Sequence, residues 1–282
     1  PHISGLTIYA ERIARALAKR GHQVTVLTSQ FDPRLSLEEI CDGVRVVRVP
    51  VLARLSKGVI MPSLGRIASK LVKEHDVIQL HLPQFDAAGV ALRGRLHKKP
   101  TVITYHCDLE LPPGLFNRIA NLAVLAMNEL AALFTHGIVT YTDDYANHSR
   151  YTRRHMKKVK IIPPPVVLPT ISADEKAAFH ADHNPKDQRP VIGMAARLAT
   201  EKGVEVLLKA LPEVLKKFPQ ALVQFVGPYQ NIIGEEQYFK HLEPELKKYE
   251  ASGNWHFLGS MSPAQMSAFY ANLDLLVVPS LN

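Results

Sequence analysis

The sequence predicts an α/β protein built from two doubly wound, mostly parallel sheets. Three observations support this prediction. Short apolar runs rich in β-branched residues alternate with longer segments of helical period, which is typical of βα units. The chain has 282 residues, more than one average domain, and 46% of them are hydrophobic. The alternation also stops once, at Pro163-Pro164-Pro165, and then resumes.

In the first half of the chain, apolar runs and helical segments alternate. The apolar runs predict strands at Gln23–Thr28, Val44–Val51, Val77–His81, Thr101–His106, Gly137–Tyr141 and Val159–Ile162. The segments between them predict helices at Leu6–Arg20, Leu64–Glu74, Asp86–His97, Leu115–Phe134 and Asp143–His155. In the first helix, Ala10, Ile13 and Leu17 share one face, and Gly21 follows as a left-handed C-terminal cap.

The three prolines interrupt this pattern, because proline fits neither a helix interior nor a central strand. We therefore predict two domains, at residues 1–165 and 166–282. After a polar stretch the alternation resumes, with strands at Val191–Ala195, Leu222–Gly227, Trp255–Leu258 and Leu275–Pro279 and helices at Val204–Phe218, Glu235–Tyr249 and Pro263–Asn272. Four strands are fewer than such sheets usually contain, so the second domain is expected to be incomplete.

Composition and charge exclude several classes of protein. Two cysteines cannot form a disulfide framework, which favours a cytoplasmic location, and no apolar run reaches the roughly 20 residues of a membrane helix. The net charge is +8: residues 1–165 hold 23 basic and 13 acidic side chains, and residues 166–282 hold 11 and 13. The sequence lacks metal-ligand spacings, dinucleotide and P-loop glycine patterns, and the interleaved aromatic residues of nucleic-acid binders. We expect neither a metal nor nucleic acid.

Two loops of the first domain carry candidate site residues. Ser4-Gly5 opens the first helix, where backbone amides can approach an anion, although taken alone this glycine fits an ordinary tight turn slightly better. Tyr105, His106 and Asp108 lie at and just past a strand, and His81 ends the preceding strand. Parallel neighbours place both histidines on one rim, where they can hydrogen-bond a substrate. An ordinary surface histidine is the alternative.

The second domain has a stronger candidate in one loop between a strand and a helix. Arg197 and Lys202 lie in this loop, and Gly203 follows them at the start of the next helix. Two cations beside a helix N-terminus, at the edge where open α/β sheets bind ligands, indicate a phosphate or diphosphate site. The alternative is a solvated loop with ordinary charges.

Short motifs follow one another in a fixed order along the whole chain. They are Ser4-Gly5, Arg20-Gly21-His22-Gln23-Val24, Thr104-Tyr105-His106, Ile161-Ile162-Pro163-Pro164-Pro165, Gly193-Met194-Ala195-Ala196-Arg197, Glu201-Lys202-Gly203, Phe257-Leu258-Gly259 and Asp274-Leu275-Leu276-Val277-Val278-Pro279-Ser280. In order and spacing they resemble the family-4 retaining glycosyltransferases. The resemblance implies the GT-B fold, in which two Rossmann-like domains face each other across a cleft.

The resemblance also implies a reaction and a set of roles. A sugar passes from a GDP- or UDP-linked donor to a hydroxyl of a lipid, lipid-linked or saccharide acceptor, with retention and without a metal. Arg197 and Lys202 bind the donor diphosphate, and Gly5 approaches the same phosphates. His106 lies beside the reacting groups as the candidate catalytic residue. Other residues follow by position: Leu258, Gly259 and Met261 at the nucleotide base, and His81, Tyr105 and Asp108 on the acceptor side.

Three departures from the family pattern stand out. One glycine replaces the usual pair in the first loop, and Pro163-Pro164-Pro165 replaces a Pro-Asn-Gly motif. The family's two glutamates spaced by seven residues are expected beyond Asn282, and a first strand is expected before Pro1. The sequence is therefore interpreted as a fragment, and we expect these 282 residues alone not to catalyse transfer.

The positive charge of the first domain suggests a membrane role. Basic residues (Arg54, Lys57, Arg66, Lys70 and Lys73) and apolar residues (Leu64, Ile67, Leu71 and Val72) suggest a segment that binds anionic lipid at the cytoplasmic face. A packed helix with a solvated basic face is an equal alternative. Two other functions also remain open: a non-catalytic nucleotide-sugar-binding module, and a sugar-nucleotide epimerase or sugar-phosphate synthase of the same fold.

Overall fold

The computed structural model describes residues 5–55, 58–109, 114–166, 168–230, 232 and 235–280. Ser4 and Lys57, which belong to the candidate sites above, lie outside these ranges. The chain divides into two compact units, Pro1–Pro165 and Val166–Asn282. Each unit has its own parallel sheet and its own hydrophobic core, which confirms the predicted α/β class.

The first unit follows the predicted alternation of helices and strands. Its helices are α1 (Gly5–Lys19), α2 (Leu64–Glu74), α3 (Ala87–Leu96), α4 (Leu115–Phe134), α5 (Asp143–His148) and α6 (Arg150–Arg154). Its strands are β1 (Val24–Ser29), β2 (Glu38–Cys41), β3 (Val44–Val49), β4 (Ala53–Leu55), β5 (Gly58–Ile60), β6 (Ile78–Leu82), β7 (Thr101–Tyr105), β8 (Gly137–Thr140) and β9 (Val159–Ile161).

Strands β6 to β9 form a four-stranded parallel sheet in chain order, and its core residues pack against α3 and α4. Helix α3 approaches the sheet closely because Gly94 has no side chain: a Cβ there would lie 2.4 Å from Thr101 Oγ1. In a second sheet, β1 pairs with β3 in parallel and β2 pairs with β3 antiparallel. Strands β4 and β5 form a separate hairpin.

Strands β2, β4 and β5 are absent from the sequence-based prediction. The β2 sequence, Glu-Glu-Ile-Cys, contains no apolar run, and Ile40 is 77% exposed. A local signal was nevertheless present in the turn that joins β2 to β3. Asp42 and Gly43 both have positive φ, 49° and 77°, as the Asp-Gly turn of a tight hairpin requires.

The predicted helix at 143–155 is instead two helices, α5 and α6, separated at Ser149. Ser149 is extended, with φ −64° and ψ 133°, so the helical path stops there. Its hydroxyl makes no cap to α6 and instead donates to Asp108 Oδ1 at 3.0 Å. The helix break therefore places the Ser149 hydroxyl beside Asp108, one of the candidate site residues.

Helices α2 and α4 expose different kinds of face. Helix α2 buries Leu71 and Val72 and leaves Arg66, Lys70 and Lys73 outside. The predicted apolar lipid-binding face of this segment is therefore occupied by the protein core, and only its basic face is free. The outer face of α4 exposes large apolar side chains: Leu115, Ile119, Leu122, Leu130 and Leu133. No helix in the described part of the chain is both long and apolar enough to cross a membrane.

The second unit contains four helices and four strands among its described residues. They are α7 (Ala173–His183), α8 (Val204–Lys217), α9 (Glu236–Ala251) and α10 (Pro263–Ala271), with β10 (Val191–Ala195), β11 (Leu222–Val226), β12 (Trp255–Gly259) and β13 (Leu275–Leu276). The sheet is parallel, in the order β12-β11-β10-β13. Strands β11 and β12 therefore follow β10 on one side, and β13 then pairs with the other side of β10.

Two elements of the second unit differ from the prediction. Helix α7 lies in the stretch that seemed only polar, and its signal is a capping box. The Ser172 amide donates to the Glu175 carboxylate at 2.7 Å, and the Glu175 amide donates to the Ser172 hydroxyl at 3.1 Å. Strand β13 is shorter than predicted, with two residues. It is fixed by Asp274, whose carboxylate accepts the Val191 amide at 2.6 Å.

Candidate active site

The first part of the candidate site lies at the carboxyl edge of the β6–β9 sheet. His81 is the next-to-last residue of β6, His106 directly follows β7, and Tyr141 directly follows β8. The parallel register pairs Leu82 with Tyr105, and the His106 amide donates to the Leu82 carbonyl at 3.0 Å. Because parallel strands end at the same edge, side chains that are distant in sequence meet here.

The three side chains form one hydrogen-bonded chain. His81 Nδ1 lies 2.9 Å from His106 Nε2, and the Tyr141 hydroxyl is hydrogen-bonded to His106 Nδ1. Tyr9 of α1, only 7% exposed, packs on all three rings, with centroid distances of 5.9 Å to His81, 5.1 Å to His106 and 5.4 Å to Tyr141. The structure therefore brings the two predicted histidines together. It adds Tyr9 and Tyr141, which sequence reasoning did not select.

The cluster is uncharged at neutral pH. Burial lowers the pKa of His81 to about 4. Burial, together with the neighbouring His81, lowers the pKa of His106 to about 4. Burial raises the pKa of Tyr141, so its hydroxyl keeps its proton. The cluster can therefore donate and accept hydrogen bonds without presenting a charge to a bound molecule.

Tyr105 and Asp108 form a separate pair beside this cluster. Tyr105 is fully buried, stacks on Tyr151 at a centroid distance of 4.2 Å, and donates its hydroxyl to Asp108 Oδ1 at 2.8 Å. Ser149 donates to the same oxygen. The ring of Tyr105 therefore belongs to the core, and its predicted contact with an acceptor stays a prediction. Tyr105 and Ser149 together hold the Asp108 carboxylate.

The predicted anion loop lies between β10 and α8 of the second unit. Leu198 and Ala199 are fully buried and anchor the loop, and the Leu198 amide donates to the Pro228 carbonyl at 2.9 Å. Thr200–Lys202 forms a single 3₁₀ turn, and Gly203, with φ 65°, leads directly into α8. The loop thus combines a rigid base with cationic side chains at its surface.

The two cations of this loop are held differently. The Arg197 guanidinium pairs with the Glu201 carboxylate at 2.6 Å, whereas no carboxylate in the described part of the chain lies within ion-pairing distance of Lys202. Burial alone would raise the pKa of Glu201, but hydrogen bonds from Arg197 and from the backbone lower it overall. Lys202 is therefore available to an anion, and Arg197 becomes available once it leaves Glu201.

Lys202 borders a cavity at the carboxyl ends of β10 and β13. Its volume is about 150 Å³, and its lining consists of Met194, Ala195, Ala196, Lys202, Val277, Val278, Pro279 and Ser280. This is the point where the strand order reverses, with β11 on one side of β10 and β13 on the other. Open α/β sheets bind ligands in the crevice at such a point.

Gly227, which sequence reasoning did not select, allows the anion loop to pack. It follows β11 with φ 130°, and a Cβ there would lie only 2.0 Å from the Ala196 carbonyl oxygen. The Gly227 amide donates to the Gly259 carbonyl at 2.7 Å. This glycine therefore joins the loop before Arg197 to the end of β12, and its signal was a glycine directly after a buried strand.

The other predicted residues lie in separate places. Gly5 begins α1 and is exposed. Leu258 and Met261 are partly buried against a small core around Phe179 and Phe269, and neither lines the Lys202 cavity. Leu258 instead lines a larger and more open groove of about 400 Å³ that contains no lysine or arginine. Their contact with a nucleotide base stays a prediction. Within the described residues, no cluster of His, Cys, Asp and Glu is placed to hold a metal.

Comparison with known families identifies the class of protein. A family model described as Glycosyltransferase Family 4 matches residues 3–168, and one described as Glycosyl transferases group 1 matches residues 175–282. The first match alone covers more than half of the chain. The chain therefore belongs to this glycosyltransferase family, which confirms the resemblance seen in its motifs.

Individual relatives are distant but extend over nearly the whole chain. An uncharacterised glycosyltransferase of Methanocaldococcus jannaschii is 25% identical over 292 residues, covering 99% of this chain and 71% of the relative. A D-inositol 3-phosphate glycosyltransferase of Segniliparus rotundus is 24% identical over 307 residues, covering 98% of this chain and 64% of the relative. The chain thus spans about two thirds of the length of these relatives.

A solved structure supports the fold. The structure of Anabaena HepE in complex with UDP matches with a TM-score of 0.69 at 20% identity, covering 99% of this chain and 71% of that one. The match confirms the GT-B fold class.

Replacing Gly227 with alanine is expected to disrupt the anion loop. The substitution forces an unfavourable φ and places a methyl group against the Ala196 carbonyl. Gly253→Ala is a matched control, because Gly253 also has positive φ, 77°, but no atom lies within 4 Å of its Cβ position. We expect Gly227→Ala to lower the free energy of unfolding by roughly 2 kcal/mol more than the control does.

Urea unfolding measured by tryptophan fluorescence tests this expectation. Trp255 is the only tryptophan of the chain, is fully buried in β12, and therefore reports on the second unit. Equal losses in the two variants would show that the contact between Gly227 and the Ala196 carbonyl has no energetic importance.

Proposed function

We propose that this chain belongs to an enzyme that transfers a sugar from a nucleoside-diphosphate sugar to a hydroxyl acceptor, with retention of the anomeric configuration. The observation that carries the proposal is the half-buried Lys202, free of carboxylate partners among the described residues, at the switch point of the second sheet. The family membership and the UDP bound to Anabaena HepE support it.

The diphosphate of the donor binds, in this proposal, to Lys202, Arg197 and the first amides of α8. Lys202 contributes a charge that makes no direct ion pair with a described carboxylate, although it acts on neighbouring Glu201 through space. When the donor binds, the Arg197 guanidinium leaves the Glu201 carboxylate and hydrogen-bonds a phosphate oxygen instead. Arg197 thus keeps one charge-assisted hydrogen bond, and the diphosphate gains a second cationic partner beside Lys202. The N-terminal end of α8 adds its partial positive charge. These groups stabilise a diphosphate leaving group in the way that a metal does elsewhere, so we propose transfer without a metal.

The acceptor binds in the first unit, beside the cluster of His81, His106, Tyr141 and Tyr9. Uncharged imidazoles and a phenol suit the recognition of sugar or inositol hydroxyls, because such hydroxyls need partners that both donate and accept. In the proposed reaction Asp108, held by Tyr105 and Ser149, contributes a carboxylate at this edge.

Two other functions predict different behaviour. A non-catalytic binding module would bind nucleoside diphosphates at the Lys202 cavity but release no sugar. An epimerase or sugar-phosphate synthase of the same fold would act on the donor alone, or on a phosphorylated acceptor. A screen of UDP- and GDP-sugars against the full-length protein, with neutral and phosphorylated acceptors, separates the three.

Lys202→Ala is expected to weaken UDP or GDP binding about ten- to a hundredfold, because one charge-assisted contact is lost. Arg197→Ala should weaken it less, since Glu201 already competes for the guanidinium. Glu201→Gln should strengthen binding by releasing Arg197. Lys209→Ala is the matched control, because Lys209 is exposed on α8 and does not line the cavity.

Titration calorimetry with UDP and GDP measures these affinities. Binding that Lys202→Ala and the control reduce equally would contradict the diphosphate site. A wild-type chain that binds neither nucleotide would contradict it as well.

The exposed surface of the first unit also supports a proposal about location. We propose that it binds anionic membranes peripherally, through the basic face of α2 and the apolar outer face of α4. Arg54 stacks on Phe31 at 4.8 Å and donates to its carbonyl, and Lys70 lies 3.9 Å from the Glu74 carboxylate, whereas Lys73 makes no ion pair among the described residues. Apolar residues inserted among the headgroups and lysines at the surface would act together.

Flotation with vesicles tests this location. The protein should float with vesicles that contain anionic lipid, float less with neutral vesicles, and detach as salt rises. The double variant Lys70→Ala/Lys73→Ala should weaken the part of vesicle binding that salt suppresses. Ile119→Ser/Leu122→Ser should weaken the part that salt leaves unchanged. Lys216→Ala/Lys217→Ala, which removes the same charge from the second unit, is the control. Flotation that does not depend on anionic lipid, or is absent, would contradict the proposal.

A further inference from the structure

The hydrogen-bonded chain at the first edge uses both ring nitrogens of His106. Nε2 is bonded to His81, and Nδ1 is bonded to the Tyr141 hydroxyl. In this arrangement His106 has no ring nitrogen left for a substrate. His81 differs, because only its Nδ1 is engaged, and its Nε2 has no hydrogen-bond partner among the described residues.

Only two proton arrangements satisfy this chain, because each neutral imidazole carries a single N–H. In the first, the Tyr141 hydroxyl donates to His106 Nδ1, His106 Nε2–H donates to His81 Nδ1, and His81 carries its proton on Nε2. In the second, every bond is reversed, so that His81 Nδ1–H donates to His106 and His81 Nε2 keeps a lone pair. The direction of the chain therefore decides whether its outer end donates or accepts.

The surroundings of Tyr141 favour the first arrangement. Its only hydrogen-bond partner among the described residues is His106 Nδ1. Each arrangement leaves one hydrogen without a partner among the described residues: the phenolic hydrogen of Tyr141 in the second, and the Nε2–H of His81 in the first. The first is favoured because a phenol O–H is a stronger donor than an imidazole N–H, and an imidazole nitrogen is a stronger acceptor than a phenolic oxygen. When Tyr141 donates, every hydrogen of the chain has a partner except the outer N–H of His81.

We propose that Tyr141 orients this chain so that His81 presents an Nε2–H donor to substrate, with His106 as the internal link. Tyr141 and His106 are then positioning residues, and His81 is the residue that contacts the ligand. Its partner would be an oxygen with a free lone pair, such as a sugar hydroxyl or ring oxygen. The identity of that ligand rests on the proposed function, whereas the direction of the chain does not.

Tyr9 supports this geometry from another element. Its ring meets His106 edge-on, with an interplanar angle of 89°, and His81 at 72°. Such packing restricts the rotation of both imidazoles about their side-chain bonds. Because Tyr9 is almost completely buried, it fixes the planes of the rings, while Tyr141 sets the direction of the proton chain.

Nuclear magnetic resonance of protein labelled with ¹⁵N-histidine tests the direction without any substrate. Long-range ¹⁵N–¹H correlation spectra distinguish the two neutral tautomers, and His81→Gln and His106→Gln assign the signals. We expect both histidines to carry their proton on Nε2 at neutral pH. Tyr141→Phe should remove this preference at His106 and His81. Tyr145→Phe is the control, since the Tyr145 hydroxyl has no hydrogen-bond partner in the described structure.

Either of two spectra would overturn the proposal. In one, His81 carries its proton on Nδ1 in the wild-type protein. In the other, Tyr141→Phe leaves both tautomers unchanged. Neither result depends on the proposed transferase activity, so the two proposals fail separately.

Kinetics of the full-length enzyme test the role of the outer donor. His81→Ala should lower kcat/KM about ten- to a hundredfold, as the loss of one substrate hydrogen bond predicts. His81→Gln, whose amide can still donate, should recover most of this loss. If His81→Gln is as impaired as His81→Ala, His81 does not act as a donor. If the wild-type enzyme transfers no sugar, the proposed function fails, and the spectra still decide the direction of the chain.

Discussion

Parallel strand pairing is the constraint on which both candidate sites depend. In the first unit, the hydrogen bond from the His106 amide to the Leu82 carbonyl extends the β6–β7 ladder by one residue. This places the His106 side chain beside His81, and β8 adds Tyr141 in the same way. A slip of one residue would turn each of these side chains to the opposite face of the sheet. The polar chain exists only because the register is fixed by the buried faces of the strands.

The same constraint acts differently in the second unit. There the strand order reverses at β10, and the crevice at its carboxyl end remains open between β10 and β13. Asp274 fixes the start of β13 against β10 by accepting the Val191 amide, and Arg189 reinforces this contact. The Val191 amide and, after it, Arg189 hold the pKa of Asp274 below its usual value, so the contact persists at neutral pH. Gly227 then lets the anion loop pack against the end of β11.

The features that could be predicted from the sequence share one property: each depends on a local sequence pattern. The βα alternation, the loop of Arg197 and Lys202, and the pair of histidines at strand ends all follow from short stretches of sequence. Tyr105 and His106 were both predicted on the substrate side, whereas neighbouring residues along a strand point to opposite faces of the sheet, and the structure buries Tyr105. That conflict was visible in the sequence.

Other features need three-dimensional information. The close approach of Gly227 to the Ala196 carbonyl depends on how two loops pack, and no local pattern contains it. Tyr9 joins the cluster from a helix far from the strands in sequence. The inward face of α2 and the apolar outer face of α4 likewise depend on which neighbours cover each helix. These features depend on tertiary contacts. The Asp42-Gly43 turn and the Ser172 capping box, in contrast, were local signals from which the β2–β3 hairpin and helix α7 could have been predicted.

The proposed function requires both carboxyl edges to take part in the transfer of a sugar from a nucleoside-diphosphate donor. Release of nucleoside diphosphate by the full-length protein, screened over UDP- and GDP-sugars with hydroxyl acceptors, measures it most directly. We expect acceptor-dependent release from one donor, abolished or strongly reduced when Lys202 is replaced. Release that is independent of both the acceptor and Lys202, or no release from any donor, would contradict it.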